Sequence, residues 1–179
     1  MRLDHIAYRV RDRHKAADFF ASSLGYTTGT EFQIEFDDGS TASCLALVPP
    51  EKRPEDTKDW STWKRMGQPA AIFPFHASPE IFVSDGPKGS IVGDWVKENG
   101  PGVHHIAYQV DDVEAKMKEW LDNGYAEFYS DRPLECEGLI QVFTKPSGLT
   151  GVIYELINRT DKGFCEDNVK GLMESTKQL

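Results

Sequence analysis

The chain has 179 residues, 39% of them hydrophobic, which is enough to bury one core of ordinary size or two small modules that share one. Its formal net charge of -9 gives no long-range attraction to phosphate backbones or anionic lipid, so a small-molecule substrate is expected and nucleic-acid or membrane partners are not. Three scattered cysteines, Cys44, Cys136 and Cys165, make neither a disulfide framework nor a structural zinc knot, and the start MRLDHIAYRV lacks an apolar leader; a soluble, unprocessed protein of the reducing cytoplasm is expected.

In LDHIAYRVRD (3–12), Ile6, Tyr8 and Val10 alternate with His5, Ala7 and Arg9, the period of a strand with two unlike faces, and His5 lies opposite the greasy one. Asp12 is placed to cap a helix with Ala16, Phe19, Phe20 and Leu24 at helical spacing, His14 on its solvated side and Gly25 as its left-handed stop. β-type sequence follows: EFQIEF, the turn DDGS, then TASCLALV. The polar stretch 49–68, which contains Trp60 and Trp63, reads as an inserted loop, either a surface flap or an active-site lid. His76 beside it reads as structural or exposed. PEIFVSD at 79–85 completes the first unit. GPKGSIVGDWVKENGPG then reads as a linker holding a short helix, capped by Ser90, burying Ile91, Val92, Trp95 and Val96, and ended by Asn99-Gly100.

The opening then returns as VHHIAYQVDD at 103–112. Asp111 or Asp112 caps a second helix with the stripe Val113, Met117, Trp120 and Leu121, and Gly124 stops it. AEFYS, a turn-rich stretch, LIQVFTK, the turn PSGLTG and VIYELI complete the second unit. The expected fold class is α+β: two paired β-α-β-β-β modules that form a curved, cup-like mixed sheet, plus a C-terminal helix. The expected boundaries are module 1 at about 1–86 with its insertion at about 49–68, a linker helix at about 87–101, module 2 at about 102–160, and the C-terminal helix at about 164–177, all in one domain of 1–179.

Pairing two copies about a pseudo-twofold axis brings His5 to face His105 across a shared concave sheet. The last strands add Glu80 and Glu155, each a lone carboxylate in an apolar run. Two carboxylates that close cannot both stay ionised without a cation, so either one is protonated or a metal is present. Two imidazoles and one or two carboxylates are ligands suited to Fe(II), Mn, Co, Ni or Zn. Alternation points His104 away from His105, toward a packing role, unless a twist or bulge carries it to the cavity rim.

The repeated module and this ligand pattern resemble the vicinal oxygen chelate superfamily, which includes glyoxalase I, methylmalonyl-CoA epimerase and extradiol dioxygenases. GPGVHHIAYQVDD, LIQVFTKPSG, VIYELINR and GFCEDNVKGLMES resemble more specifically the catalytic C-terminal half of 4-hydroxyphenylpyruvate dioxygenase. The resemblance implies His5, His105 and Glu155 as metal ligands, Gln141 as a substrate-orienting residue, and Phe143 as a stacking surface. It places Phe164 at the start of a gating C-terminal helix, and Ser43 and Asn168 with the substrate-binding set. The departures also count. The family's G-F-G-x-G-N-F becomes GFCEDNV, which keeps Asn168 but puts Val169 where a second Phe covers the substrate ring; His104 replaces a Gln and Ser84 an Asn. The dioxygenase's N-terminal half has no counterpart here, and 4-hydroxyphenylpyruvate is not the expected substrate.

Three ligands leave three positions on an octahedral ion, enough for a bidentate 2-oxo acid and O2; this is the first expectation, a non-haem Fe(II) dioxygenase. A fourth ligand at Glu80 would leave two positions and favour proton shuttling, with a carboxylate as base, as in glyoxalase I or methylmalonyl-CoA epimerase. A non-catalytic small-molecule-binding or resistance protein is the third expectation. A homodimer is what the resemblance implies for assembly.

Overall fold

The structure is a computed structural model that describes residues 1–50, 78–159 and 165–176. The described elements run β1 (Arg2–Arg9), α1 (Arg13–Leu24), β2 (Thr27–Glu35), β3 (Thr41–Val48), β4 (Glu80–Asp85), α2 (Ile91–Asn99), β5 (Gly102–Gln109), α3 (Val113–Asp122), β6 (Leu134–Cys136), β7 (Leu139–Phe143), β8 (Ile153–Arg159) and α4 (Glu166–Ser175). Trp60, Trp63, His76, Phe164 and most of the 49–68 insertion lie outside the described residues.

The strands form one eight-stranded sheet in the order β2-β3-β4-β1-β5-β8-β7-β6. Read outward from the β1–β5 seam, the halves repeat: each opening strand pairs parallel with its module's last strand, and the rest are antiparallel. Antiparallel pairing of β1 with β5 sets Ile6 opposite Ile106, with His5 against Ala107 and Ala7 against His105, so the pseudo-twofold axis passes through the isoleucine pair. The repeat in the sequence thus becomes the symmetry of the sheet.

Helices start where the cap residues predict. Asp12 accepts from the amides of His14 and Lys15, Ser90 from Gly93 and Asp112 from Ala115, which satisfies amides that have no partner inside the helix. Gly25 ends α1 at φ 76, a conformation that would strain any side chain with a Cβ. On the convex face, α1 buries Ala17 against Leu45, Ile81 and Val83, and α3 buries Val113 and Met117 against Val142 and Leu156. On the concave face, α2 and α4 pack Val92, Val96, Val169 and Met173 against Ala7, Ala42, Cys44 and Phe82.

One expectation is corrected in the second module. AEFYS supplies only an isolated bridge from Phe128 to Thr144, and the strand beside β7 is the short β6, within the stretch read as turns. Pro133 lacks the amide a ladder needs and precedes the first residue able to pair continuously.

α2 must approach the preceding loop closely. A Cβ built on Gly93 would overlap the carbonyl oxygen of Pro87, a backbone atom that cannot rotate aside. Gly93→Ala is therefore expected to destabilise the fold by about 2 kcal/mol or more, measured by chemical denaturation. Wild-type stability in that variant would mean that α2 docks differently.

Candidate metal centre

Two irregularities in the β1–β5 ladder shape the site. Between the pairs Leu3–Tyr108 and His5–Ala107, β1 carries one extra residue, Asp4; between Ala7–His105 and Tyr8–Val103, β5 carries one extra residue, His104. These are symmetry-related β-bulges, and each inserted residue immediately precedes a histidine of the repeat. A bulge breaks strict alternation, so neighbouring side chains turn to the same side. Asp4, His5, His104 and His105 are all buried. His104 thus lines the cup rather than packing behind it.

The two histidines then converge with Glu155 from β8. Nε2 of His5 lies 3.3 Å from Nε2 of His105, and Oε2 of Glu155 lies 3.3 Å from the first and 3.2 Å from the second. Two ligands bonded to one ion at about 2.0–2.1 Å stand about 2.8–3.4 Å apart in octahedral or tetrahedral geometry, so this triangle fits a divalent ion. Oε2 of Glu155 is buried and satisfies no hydrogen-bond geometry with either nitrogen. The three candidate ligand atoms thus gather about a common point. Among the described residues, no other group of three or more His, Cys, Asp or Glu side chains gathers in this way.

The other ring nitrogen of each histidine is held by its bulge residue. Oδ1 of Asp4 accepts from Nδ1 of His5 at 2.9 Å, which leaves Nε2 to face the ion. Nδ1 of His104 stands 2.9 Å from Nδ1 of His105. Arg159, from the end of β8, donates from Nε to Asp4 at 3.0 Å and from Nη2 to Glu80 at 2.6 Å. Neither Asp4 nor Arg159 stood out in the sequence. The aligned repeat held the signal, since Asp4 and His104 occupy the same place before their histidines.

Glu80 does not join the three candidate ligands. Parallel pairing sets His5 beside Glu80 and Ala7 beside Phe82, whereas in the other half His105 lies beside Ile153 and Ala107 beside Glu155. The position equivalent to Glu155 is therefore Phe82, and Glu80 falls two residues short, about 6.6 Å along the strand. Its carboxylate goes to Arg159, and Phe82 lines the cup with its ring 6.3 Å from that of His5.

Of the remaining expected residues, Gln141 and Phe143 line the cup, Phe143 with its ring 4.6 Å from that of His105 and Gln141 with a buried Nε2 that has no partner among the described residues. Ser43 does not. It alternates with Ala42 and Cys44 of the concave face, on the side where Leu45 and Leu47 meet α1. Asn168 is buried on α4, but that helix lines the cup through Val169, Leu172 and Met173. His14 is exposed beside Glu31, as read. The space left in the cup is about 30 Å³, room for one or two waters.

The charges are set by burial and by one another. Burial alone would drive the His5 imidazole to neutrality, but its hydrogen bond with Asp4 and the adjacent Glu155 carboxylate outweigh it and raise its pKa to about 9. Burial would raise Glu155, yet His105 and His5 hold it down at about 2. His105 is lowered, chiefly by burial, and His104 is pushed well down by the same cause. Asp4 stays ionised because the interactions with His5 and Arg159 overcome its burial.

A family model described as the glyoxalase/bleomycin resistance protein/dioxygenase superfamily matches residues 4–138, and the chain belongs to that superfamily. Comparison with curated proteins finds no match. Among solved structures, a triple mutant of 4-hydroxymandelate synthase from Streptomyces coelicolor superposes with a TM-score of 0.71 at 18% identity, over 99% of this chain and 53% of that one. This chain therefore spans about half the length of that enzyme. Methylmalonyl-CoA epimerase from Mycobacterium tuberculosis gives 0.58 at 20% identity, covering 89% of each chain. A Streptomyces coelicolor epimerase variant in complex with 2-nitronate-propionyl-CoA gives 0.58 at 21%, over 90% of this chain and 96% of that one. At these identities the likeness establishes the vicinal oxygen chelate fold. No helix among the described residues is long and apolar enough to cross a membrane.

The protonation pattern has a measurable consequence. At neutral pH without metal, Glu155 is already anionic and His105 already neutral, so His5 is the ligand that must lose a proton when an ion binds. Uptake of one divalent ion is expected to release about one proton at neutral pH, fading as pH rises through about 9. Calorimetric titration in buffers of different ionisation enthalpy measures it, and zero release at neutral pH would contradict the arrangement.

Proposed function

We propose that the protein is a non-haem Fe(II) dioxygenase that acts on a small 2-oxo acid. The observation that carries this reading is the ligand count: two imidazoles and one carboxylate on one face, with Phe82 where a second carboxylate would stand and Glu80 engaged by Arg159. Three ligands on one face leave three adjacent positions, the set that a bidentate oxygen chelator and O2 need together. Fe(II) held there would supply Lewis-acid polarisation of the chelating oxygens and electrons for O2. The proton-shuttling alternative needs a carboxylate at the reacting carbon, and Glu80 is occupied elsewhere.

The remaining cup residues suit that chemistry. Gln141 offers a buried, unpartnered amide N–H to a substrate oxygen, an orienting bond that water cannot easily replace in this apolar setting. Phe82 and Phe143 flank the histidines and exclude water from the ligand bonds. α4 closes the mouth through Val169, Leu172 and Met173. Room for about two waters cannot hold a 2-oxo acid, so entry requires α4 to shift outward, and its return shields the reacting groups.

Fe(II)-reconstituted protein assayed with an oxygen electrode across a panel of 2-oxo acids is expected to consume O2 and release CO2 in equal amounts with at least one of them. Glu155→Gln should lower Fe(II) affinity about 100-fold or more, and Glu80→Gln by less than about 10-fold. No O2 uptake with any member of the panel, together with an equal loss of affinity in both variants, would move the assignment to a four-ligand isomerase.

A further inference from the structure

Two buried groups on the wall of the cup are incompletely matched: a guanidinium with no carboxylate partner and an imidazole nitrogen with no hydrogen-bond partner among the described residues. Arg9 follows His5 and Ala7 along the concave face of β1 and is 2% exposed. Burial lowers its guanidinium to about 10, so it remains a cation at neutral pH. Its one hydrogen bond among the described residues runs from Nη2 to Oγ1 of Thr176 at 3.1 Å, and its Cζ lies 5.6 Å from the centre of the Trp95 ring. Asp94 and Glu98 line the adjoining space, yet among the described residues no carboxylate pairs with Arg9. A guanidinium offers five N–H donors, and a buried cation without a counter-ion is a cost that a fold carries for a reason.

The second donor follows from the metal geometry. When Nε2 of His105 gives its lone pair to an ion, its Nδ1 keeps the proton and donates to Nδ1 of His104 at 2.9 Å. An imidazole that accepts at Nδ1 carries its proton on Nε2, and Nε2 of His104 is buried with no partner among the described residues. Arg9 and His104 gather about the same Trp95 ring, which lies 5.7 Å from that of His104. Among the described residues they alone line both the cup and a second chamber of about 560 Å³ beside α2. Both donors therefore stand where a ligand seated on the ion would extend out of the small cup.

We propose that Arg9 and His104 form an anion subsite for a carboxylate remote from the metal, which makes the substrate a 2-oxo acid with a second carboxylate. This rests on the reading of the cup as a metal-chelating substrate site. The guanidinium supplies charge and a bidentate fork, and the imidazole N–H supplies a third bond from a neutral donor. Gln141 and the ion serve the 2-oxo end. A monocarboxylic 2-oxo acid would leave the buried guanidinium without a counter-ion, so the subsite discriminates by the unpaired charge it leaves behind.

The test titrates anaerobic, Fe(II)-loaded protein calorimetrically with two matched pairs of probes, 2-oxoglutarate against 2-oxovalerate and 2-oxoadipate against 2-oxohexanoate. At least one dicarboxylate is expected to bind about 10-fold or more tightly than its partner. That preference should collapse in Arg9→Met and weaken in His104→Phe, with metal stoichiometry unchanged in Arg9→Met. Arg9→Met should also melt no lower than wild type, because it removes an unpaired buried charge. Equal affinities within both pairs in wild type, or a preference that survives Arg9→Met, would overturn the proposal, as would an Arg9→Met variant that melts lower and keeps its ligand affinities. If no 2-oxo acid binds the loaded protein, the 2-oxo acid reading falls. Glutarate then decides the subsite: binding to wild type that is lost in Arg9→Met upholds it, and no binding to either overturns it.

Discussion

Everything at this centre depends on a pair of β-bulges. In a regular ladder Asp4 and His104 would face away from their neighbours, and each ligand histidine would have only its backbone and packing to orient it. One extra residue on each strand turns both inward, so that Nδ1 of each imidazole meets the side chain just before it in the chain. That contact fixes ring rotation and tautomer together and commits Nε2 to the common point. The bulges are related by the pseudo-twofold axis, but their occupants are not alike. One is an ionised aspartate anchored by Arg159; the other is a neutral histidine with a free-facing N–H.

The duplicated halves differ at the candidate metal centre. Twofold symmetry supplies two imidazoles, and perfect symmetry would add two carboxylates. Phe82 breaks it. One half contributes Glu155, the other a ring that closes the cup, and the candidate ligand set becomes three. Glu80 and Arg159 serve at one remove: they form a chain from Glu80 through Arg159 and Asp4 to His5. The buried ion pairs carry a desolvation cost that hydrophobic packing would avoid, so they are weak evidence for a gain in stability.

Much of this was legible in the sequence, for physical reasons. A repeat of a strand, a capped helix and a glycine stop determines a paired sheet, because neither half can bury its concave face alone, and His5 and His105 follow from the repeat. Glu155 followed too, as a lone carboxylate in an apolar strand. Whether Glu80 is a fourth ligand stayed open because strand register is invisible to composition: a shift of two residues keeps the same face yet moves a carboxylate about 6.6 Å. Ser43 was misread for the complementary reason, one position out and so on the other face. Asp4 was hidden because alternation is the rule by which faces are read and a bulge suspends it, and for the same reason His104 stayed open between a packing role and the cavity rim; Arg9 keeps the alternation of His5 and Ala7, but its buried partnering depends on helices far along the chain.

The central claim is that one divalent ion sits among the Nε2 atoms of His5 and His105 and Oε2 of Glu155, with Glu80 outside. Crystals of the Co(II)- or Fe(II)-loaded protein, measured at the absorption edge of the metal, test it directly. The account predicts one anomalous peak within about 2.0–2.3 Å of those three atoms, with Glu80 still on Arg159. A peak elsewhere, or a shell that recruits Glu80, would contradict it.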